Sequence, residues 1–301
     1  MKIERKYPSR TYANRVEYVI HYPSFEDLLK DAPKNDINQT RMRTAIPMTS
    51  IRGREWYGPA VRTGEEFEQK VKEGWPELLS AVKYAASHLT LNPETLPVAL
   101  TQATKRRRVR ADNGSDLDIH AVYQGNLDRA WSNTRRDLHQ VRRKAAHVYI
   151  NIGGLGSVDA MASIWRAATA YKVCDMLQKS GYTVEITVGA SADQVFTTTS
   201  TVHTSFTAKS SSMPLDLNRL AMQSCMGWHR FYNFKARLCN DDGRVCQGHM
   251  GYTNSHVTSP YIKECEERGE LLVVINADVL SERMAQAAIK QVQVLIERKA
   301  A

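Results

Sequence analysis

No apolar run in this chain of 301 residues approaches the roughly 18 that a membrane-spanning helix needs, so no membrane partner is expected. The first residues, MKIERKYPSR, lack the apolar core of a secretory leader, which points to a cytoplasmic location. Cysteine is sparse. The five residues at 174, 225, 239, 246 and 265 are odd in number and scattered, which argues against a disulfide framework. The histidines are scattered too, and no nucleophile-elbow motif is present, so no Ser–His–Asp or Cys–His arrangement follows from spacing. Repeats are absent, and the one biased tract is a Ser/Thr-rich stretch, Ser191–Ser212. What remains is an ordinary globular composition, 42% hydrophobic and 24% charged, with chain enough for about two domains.

Basic residues outnumber acidic ones by 41 to 32, a formal +9 with histidine neutral. The surplus is local. Residues 1–100 carry +2 and residues 146–301 carry +1, whereas Thr101–Lys144 holds 11 Lys/Arg against 5 Asp/Glu, or +6. It concentrates in Lys105, Arg106, Arg107, Arg108 and Arg110, then in Arg135, Arg136, Arg142, Arg143 and Lys144. Trp131 lies among them as a candidate base-stacking residue. Guanidinium groups stay ionised and meet phosphate oxygens in a planar fork. Such a set would bind a DNA or RNA backbone with salt-sensitive, sequence-indifferent affinity. The plainer alternative is a solvated charged loop and helix face.

Residues 1–144 form an irregular mixed α+β region on this reading. Arg15–Tyr22 predicts a strand, Ser24 caps a short helix Phe25–Asp31, and a helix starts near Thr63 with Glu65, Glu66 and Glu68 at its positive end. Gly74-Trp75-Pro76 interrupts it before Glu77–Leu89 resumes. Asp116–Val122 alternates as a strand does, and Leu127–Lys144 is expected as a basic helix. Residues 145–301 are more regular. His147–Ile152 predicts a strand, Gly153–Ser157 a turn, Val158–Lys179 a buried helix with a polar stripe that includes Arg166, and Thr183–Val188 the next strand. A strand through Val202–Ala208, a helix Leu215–Met226, a strand Phe231–Cys239, a strand Leu271–Ile275 and a helix Asp278–Arg298 complete it. The expected class is α/β, a doubly wound and mostly parallel sheet of Rossmann-like type in the second half.

Three constellations invite chemistry. The turn Gly153, Gly154, Gly156, Ser157 follows a strand and precedes a helix, where backbone N–H groups and the helix dipole accept an anion. It lacks the third glycine of a dinucleotide fingerprint and the Lys-Ser/Thr of a P-loop, and a tight turn accounts for it equally. Asp116, Asp118 and His120 would share one face of the predicted strand, where two carboxylates can hold Mg²⁺. Cys239, Cys246, His249, His256 and Cys265 match no common zinc spacing. A hairpin turning at Asp242-Gly243, with Cys239 opposite Cys246, accounts for them better. Trp56, Tyr57, Trp75, Trp165, Trp228 and Tyr232 are expected as core or interface anchors.

Trp56-Tyr57-Gly58, Gly74-Trp75-Pro76-Glu77, Gly114 with Asp118-Ile119, and Gly125 with Trp131 resemble successive landmarks of an uncharacterised tailed-phage protein family. Arg166-Ala167-Ala168, Gly181–Ile186 and Pro214–Ala221 extend the likeness over about residues 24–240. It implies a phage origin and carries no activity. The layout of the second half (strand, loop, long helix, strand) is similar to a von Willebrand factor A-type domain. That fold's metal motif is Asp-x-Ser-x-Ser; aligned on Ser157, Gly153 and Leu155 replace its first two ligands, which implies a degenerate metal site. No cofactor is implied. The leading expectation is a non-enzymatic phage accessory protein of the host cytoplasm that binds nucleic-acid backbone. The alternatives are a protein-interaction or virion-assembly module meeting phage or host proteins, and a Mg²⁺-dependent nucleotide-handling enzyme.

Overall fold

The computed structural model describes residues 3–8, 16–31, 57–90, 104–111, 114, 116–138, 144–153, 158–194, 197–233, 235–236, 252–254 and 264–300. The chain divides into two compact units, one made of Met1–Pro97 with Lys144–Ala301 and the other of Val98–Arg143. A boundary at 144/145 was expected with everything before it set apart. Instead the N-terminal strands enter the same sheet as the second half, and only 98–143 forms a unit of its own.

The larger unit is built on a mixed sheet of β1 (Ile3–Pro8), β2 (Val16–Tyr22), β6 (Ala145–Asn151), β7 (Thr183–Asp193), β8 (Ser200–Lys209), β9 (Tyr252–Asn254) and β10 (Leu271–Ile275). Its order is β1-β2-β8-β7-β6-β10, with β9 pairing the far end of β7. The pairs β10–β6, β6–β7 and β2–β8 are parallel, whereas β1–β2, β7–β8 and β7–β9 are antiparallel. Registered alternation gives the sheet two unlike faces. Tyr18, Ile20, Tyr22, Val202, Phe206, Ile186, Val188, Val148, Ile150, Val273 and Ile275 fall on one face, all buried in a single core. Glu17, His21, Thr201, His203, Ser205, Glu185, Ser191, Asp193, His147, Tyr149 and Asn151 fall on the other.

Helices gather on the apolar face. They are α1 (Phe25–Asp31), α2 (Gly64–Glu73), α3 (Pro76–His88), α5 (Ile164–Lys179), α6 (Leu217–Gln223), the turn α7 (Met226–Trp228) and α8 (Glu282–Ala300). Helix α5 connects the parallel strands β6 and β7 and packs against β6, β7, β10, α3, α6 and α8. Being covered on most sides, it buries Ala167, Ala168, Ala170, Val173, Cys174, Met176 and Leu177. It starts at Ile164, after a 3₁₀ turn Met161–Ser163, rather than at Val158. Arg166 does not join a polar stripe: it is fully buried. Helix α2 has the capping box that Thr63 and Glu66 announce, each side chain accepting from the other's backbone N–H.

The smaller unit is a three-stranded antiparallel sheet ordered β3 (Thr104–Ala111), β5 (Trp131–Leu138), β4 (Asp116–Leu117), with the short helix α4 (Ile119–Tyr123). Two expectations fail here. Leu127–Lys144 is not a helix: a 3₁₀ turn at Leu127–Arg129 leads into strand β5, because eight residues find backbone partners along β3. Asp116–Val122 is not a strand. Asp118 accepts from the His120 and Ala121 N–H groups, so the chain turns into α4 after two strand residues. Among the described residues this unit buries only Ala121 and Ala130, while Leu117, Ile119, Val122, Tyr123 and Leu127 are exposed.

Phe231–Cys239 was expected as a strand, but His229–Asn233 forms a π-helical turn and 237–239 lie outside the described residues. Alternating aromatic and polar residues imitate the strand period, yet Phe231 and Tyr232 are both buried in an aromatic knot with Tyr57, Phe67 and Trp75. Trp75 Nε1 donates to the Pro59 carbonyl at 2.8 Å, satisfying its buried indole. Gly227 lets α7 reach this knot, since a Cβ there would lie 2.6 Å from both Phe67 Cε2 and the Tyr57 carbonyl oxygen. Gly227→Ala is expected to cost about 1–3 kcal/mol by overpacking. Urea denaturation will show a lower midpoint; an unchanged midpoint would mean the knot has slack.

Candidate functional site

The basic residues of the smaller unit lie on paired strands. Antiparallel register sets Arg106 opposite Arg136, Arg107 opposite Arg135, and Lys105 opposite Asp137. Alternation puts positions 106, 108, 110 and 136 on one face of the ribbon and 105, 107 and 135 on the other. Like charges directly opposite one another destabilise a strand pair. Arg110 is exposed, with Nη2 3.4 Å from Asp118 Oδ2. Trp131 is half-buried at the start of β5, paired with Ala111 and Leu117. Arg142 and Arg143 lie outside the described residues. Lys144 belongs to the larger unit, where its carbonyl accepts from Thr183 N–H just before β6.

The acidic set does not assemble as a strand face. The Asp118 carboxylate is committed to capping α4 and to Arg110, and His120 stands on the helix. Of the Cys/His set, Cys239, Cys246, His249 and His256 lie outside the described residues, as does the Asp242-Gly243 turn. Cys265 is described, buried beside His147 and Glu270, and the ligand atoms of these three lie within 4.8 Å of one another. They could hold a metal ion. Arg268 already supplies positive charge there, with Nε 3.0 Å from Glu270 Oε2, and it hydrogen-bonds the Cys265 thiol. His147 is flanked by Glu270 at 2.9 Å and Glu185 at 3.5 Å, so the group links β6 to β7 and to the residue just before β10.

A second polar chain escapes any reading of spacing. Ser191 Oγ lies 2.6 Å from His203 Nδ1, and His203 Nε2 lies 3.7 Å from Glu17 Oε2, on three neighbouring strands. Serine, histidine and carboxylate are thus in line, but Ser191 is fully buried and presents no hydroxyl to solvent. The arrangement joins β2, β8 and β7. Thr201 donating to Asp193 at 2.6 Å and His21 at 3.0 Å from Ser205 extend it. The signal in the sequence was polar residues at every second position of otherwise apolar strands.

At the carboxyl end of β6 the chain turns at Gly153, whose N–H donates to Asn151 Oδ1. Gly154, Gly156 and Ser157 lie outside the described residues. Arg166, from the first turn of α5, donates through Nη1 to the Gly153 carbonyl at 3.0 Å and to the Asn151 carbonyl at 3.5 Å. Burial, with the nearby Arg230 charge, lowers its pKa to about 10, against the pull of Asp278. Arg230 is itself buried and lowered to about 10, with Nη2 donating to the Val158 carbonyl at 2.6 Å.

Burial pushes the Cys174 and Cys225 thiols up to about 12 and raises that of Cys265, so little thiolate exists near neutrality. Alkylation of the native protein, mapped by mass spectrometry, is expected to leave all three unlabelled until denaturant is added. Rapid native labelling of Cys174 would contradict the packing of α5.

No curated protein and no solved structure matches the chain. Among the described residues, no helix is long and apolar enough to cross a membrane. A family model described as Domain of unknown function (DUF7192) matches residues 5–289, and the chain belongs to that family.

Proposed function

We propose that the protein is an accessory factor that binds nucleic-acid backbone through the basic ribbon β3–β5, with the larger α/β unit serving as scaffold. The observation that carries this reading is the register of Arg106 against Arg136 and Arg107 against Arg135. Arg106 and Arg136 share one face with Arg108 and Arg110, four basic positions in a row that suit phosphates, while Arg107 and Arg135 take the other face. Trp131, at one end of the ribbon, adds a ring on which a base can stack. The likeness to a tailed-phage family and the A-type layout of β6, α5 and β7 belong to the same proposal: a phage factor working in the host cytoplasm on an A-type scaffold.

A second reading has its own support. Leu117, Ile119, Val122, Tyr123 and Leu127 are exposed, which favours a protein partner and an assembly role. The nucleotide-handling alternative has lost ground, because Asp118 is spent on a helix cap and Arg110.

Binding of single- and double-stranded oligonucleotides over a salt series tests the proposal. A log–log slope of several units is expected. Replacing Arg106, Arg107 and Arg136 by Ala is expected to reduce it by about 0.9 per lost contact on duplex, or about 0.7 on single strands. Absence of binding at low salt, or a slope untouched by the three substitutions, would overturn it.

A further inference from the structure

We propose that Arg166 anchors a binding site for a small oxyanion, a phosphate or carboxylate group, at the carboxyl end of β6. The argument begins with hydrogen bonds left unmade. Arg166 is fully buried, and its Nη1 alone is bonded, to the carbonyls of Asn151 and Gly153. Among the described residues, its Nε and Nη2 are buried with no hydrogen-bond partner. Those two atoms form one side of the guanidinium plane, where two N–H bonds run parallel and chelate a carboxylate or two phosphate oxygens. The protein anchors the one terminal nitrogen that a side-on ligand does not need and leaves the fork open.

A charge buried this way is costly unless something pairs with it. No acidic side chain does so for Arg166 among the described residues: Asp278 acts on it only at a distance and is exposed. The nearest cation makes matters worse. Arg230, nearly fully buried, repels Arg166, and its own compensation comes from exposed Asp159 and from Tyr57. A buried guanidinium whose fork is unbonded, with a second buried cation acting on it, is a poor structural device and a good receptor for an anion.

The location is what fold geometry favours. Strand β6 is flanked by β7 on one side and by β10 on the other, both parallel to it. The carboxyl ends of these three strands therefore lie together at one end of the sheet. The crevice outside the carboxyl ends of parallel strands is where open α/β sheets bind ligands. Asn151 and Gly153 mark that end of β6, and Asp278 follows the same end of β10. The start of the 16-residue α5, from which Arg166 projects, adds its dipole. This site is independent of the basic ribbon.

The test is thermal denaturation of the full chain against inorganic phosphate and, separately, acetate, at constant ionic strength set with chloride. A saturable rise of Tm with one of these is expected in the native protein and in the Arg106/Arg107/Arg136→Ala variant, which removes ribbon binding but not this site. Arg166→Lys keeps the charge and loses the fork, and its apparent affinity is expected to fall about tenfold or more. In Arg166→Met the saturable rise should vanish, while Tm in chloride alone stays near that of the native protein, because the variant removes an unpaired charge. Phosphate acting alone identifies a phosphate group as the ligand, and acetate acting alone a carboxylate. A rise abolished by the ribbon substitutions, or one that survives Arg166→Lys undiminished, overturns the proposal, as does no rise with either anion. If Arg166→Met does not fold, equilibrium dialysis of labelled phosphate or acetate against Arg166→Lys decides the matter.

Discussion

Register between β2 and β8 is the constraint on which the larger unit depends. Side chains alternate between an apolar face and a polar face, and both are buried. A slip of one residue would put Glu17 and His21 against Phe206 and Trp228, and would turn Tyr18, Ile20 and Tyr22 toward His203 and Asp193. Few sheets penalise a slip from both sides at once. The hydrogen bond between His21 and Ser205 and the approach of Glu17 to His203 tie the two strands on the polar face, as apolar packing does on the other. Buried polar groups are costly only when unpaired, and here pairing is possible in one alignment.

Much of the larger unit was legible because local signals agreed with the fold. Strand β10 has the bounds its apolar run predicts, α1 fills Phe25–Asp31, and Thr63 caps α2. The failures share a cause. Trp131–Leu138 is basic and polar enough to pass for a helix face, and only its pairing with β3 makes it a strand. Asp116–Val122 alternates, but a capping carboxylate outweighs alternation over so short a span. The Ser–His–Glu line could not be read from spacing, since residues 17, 191 and 203 meet only once three strands are in order. Arg166 was misplaced because a helix covered on nearly every side has no solvent face for a polar stripe to occupy.

The two candidate sites hold arginine in opposite ways. On β3 and β5 the positions oppose one another along a ribbon, and water can still solvate exposed groups such as Arg110. At the end of β6 the guanidinium is sealed off and fixed by two carbonyls, so its electrostatics are little screened by salt. The first arrangement suits an extended polymer held loosely at many points. The second suits one small group held at one point.

The pairing of β2 with β8 also has a cost in time. His21 and Ser205 meet across 184 residues of chain. At ~5–20 residues per second, a ribosome needs roughly 10–40 s to make the partner after it has made β2. Through that interval the hairpin of β1 and β2 has an open strand edge, although the helices that follow β2 directly, α1 to α3, are already made. The edge of β2 thus waits for its partner far longer than its apolar face waits for helices.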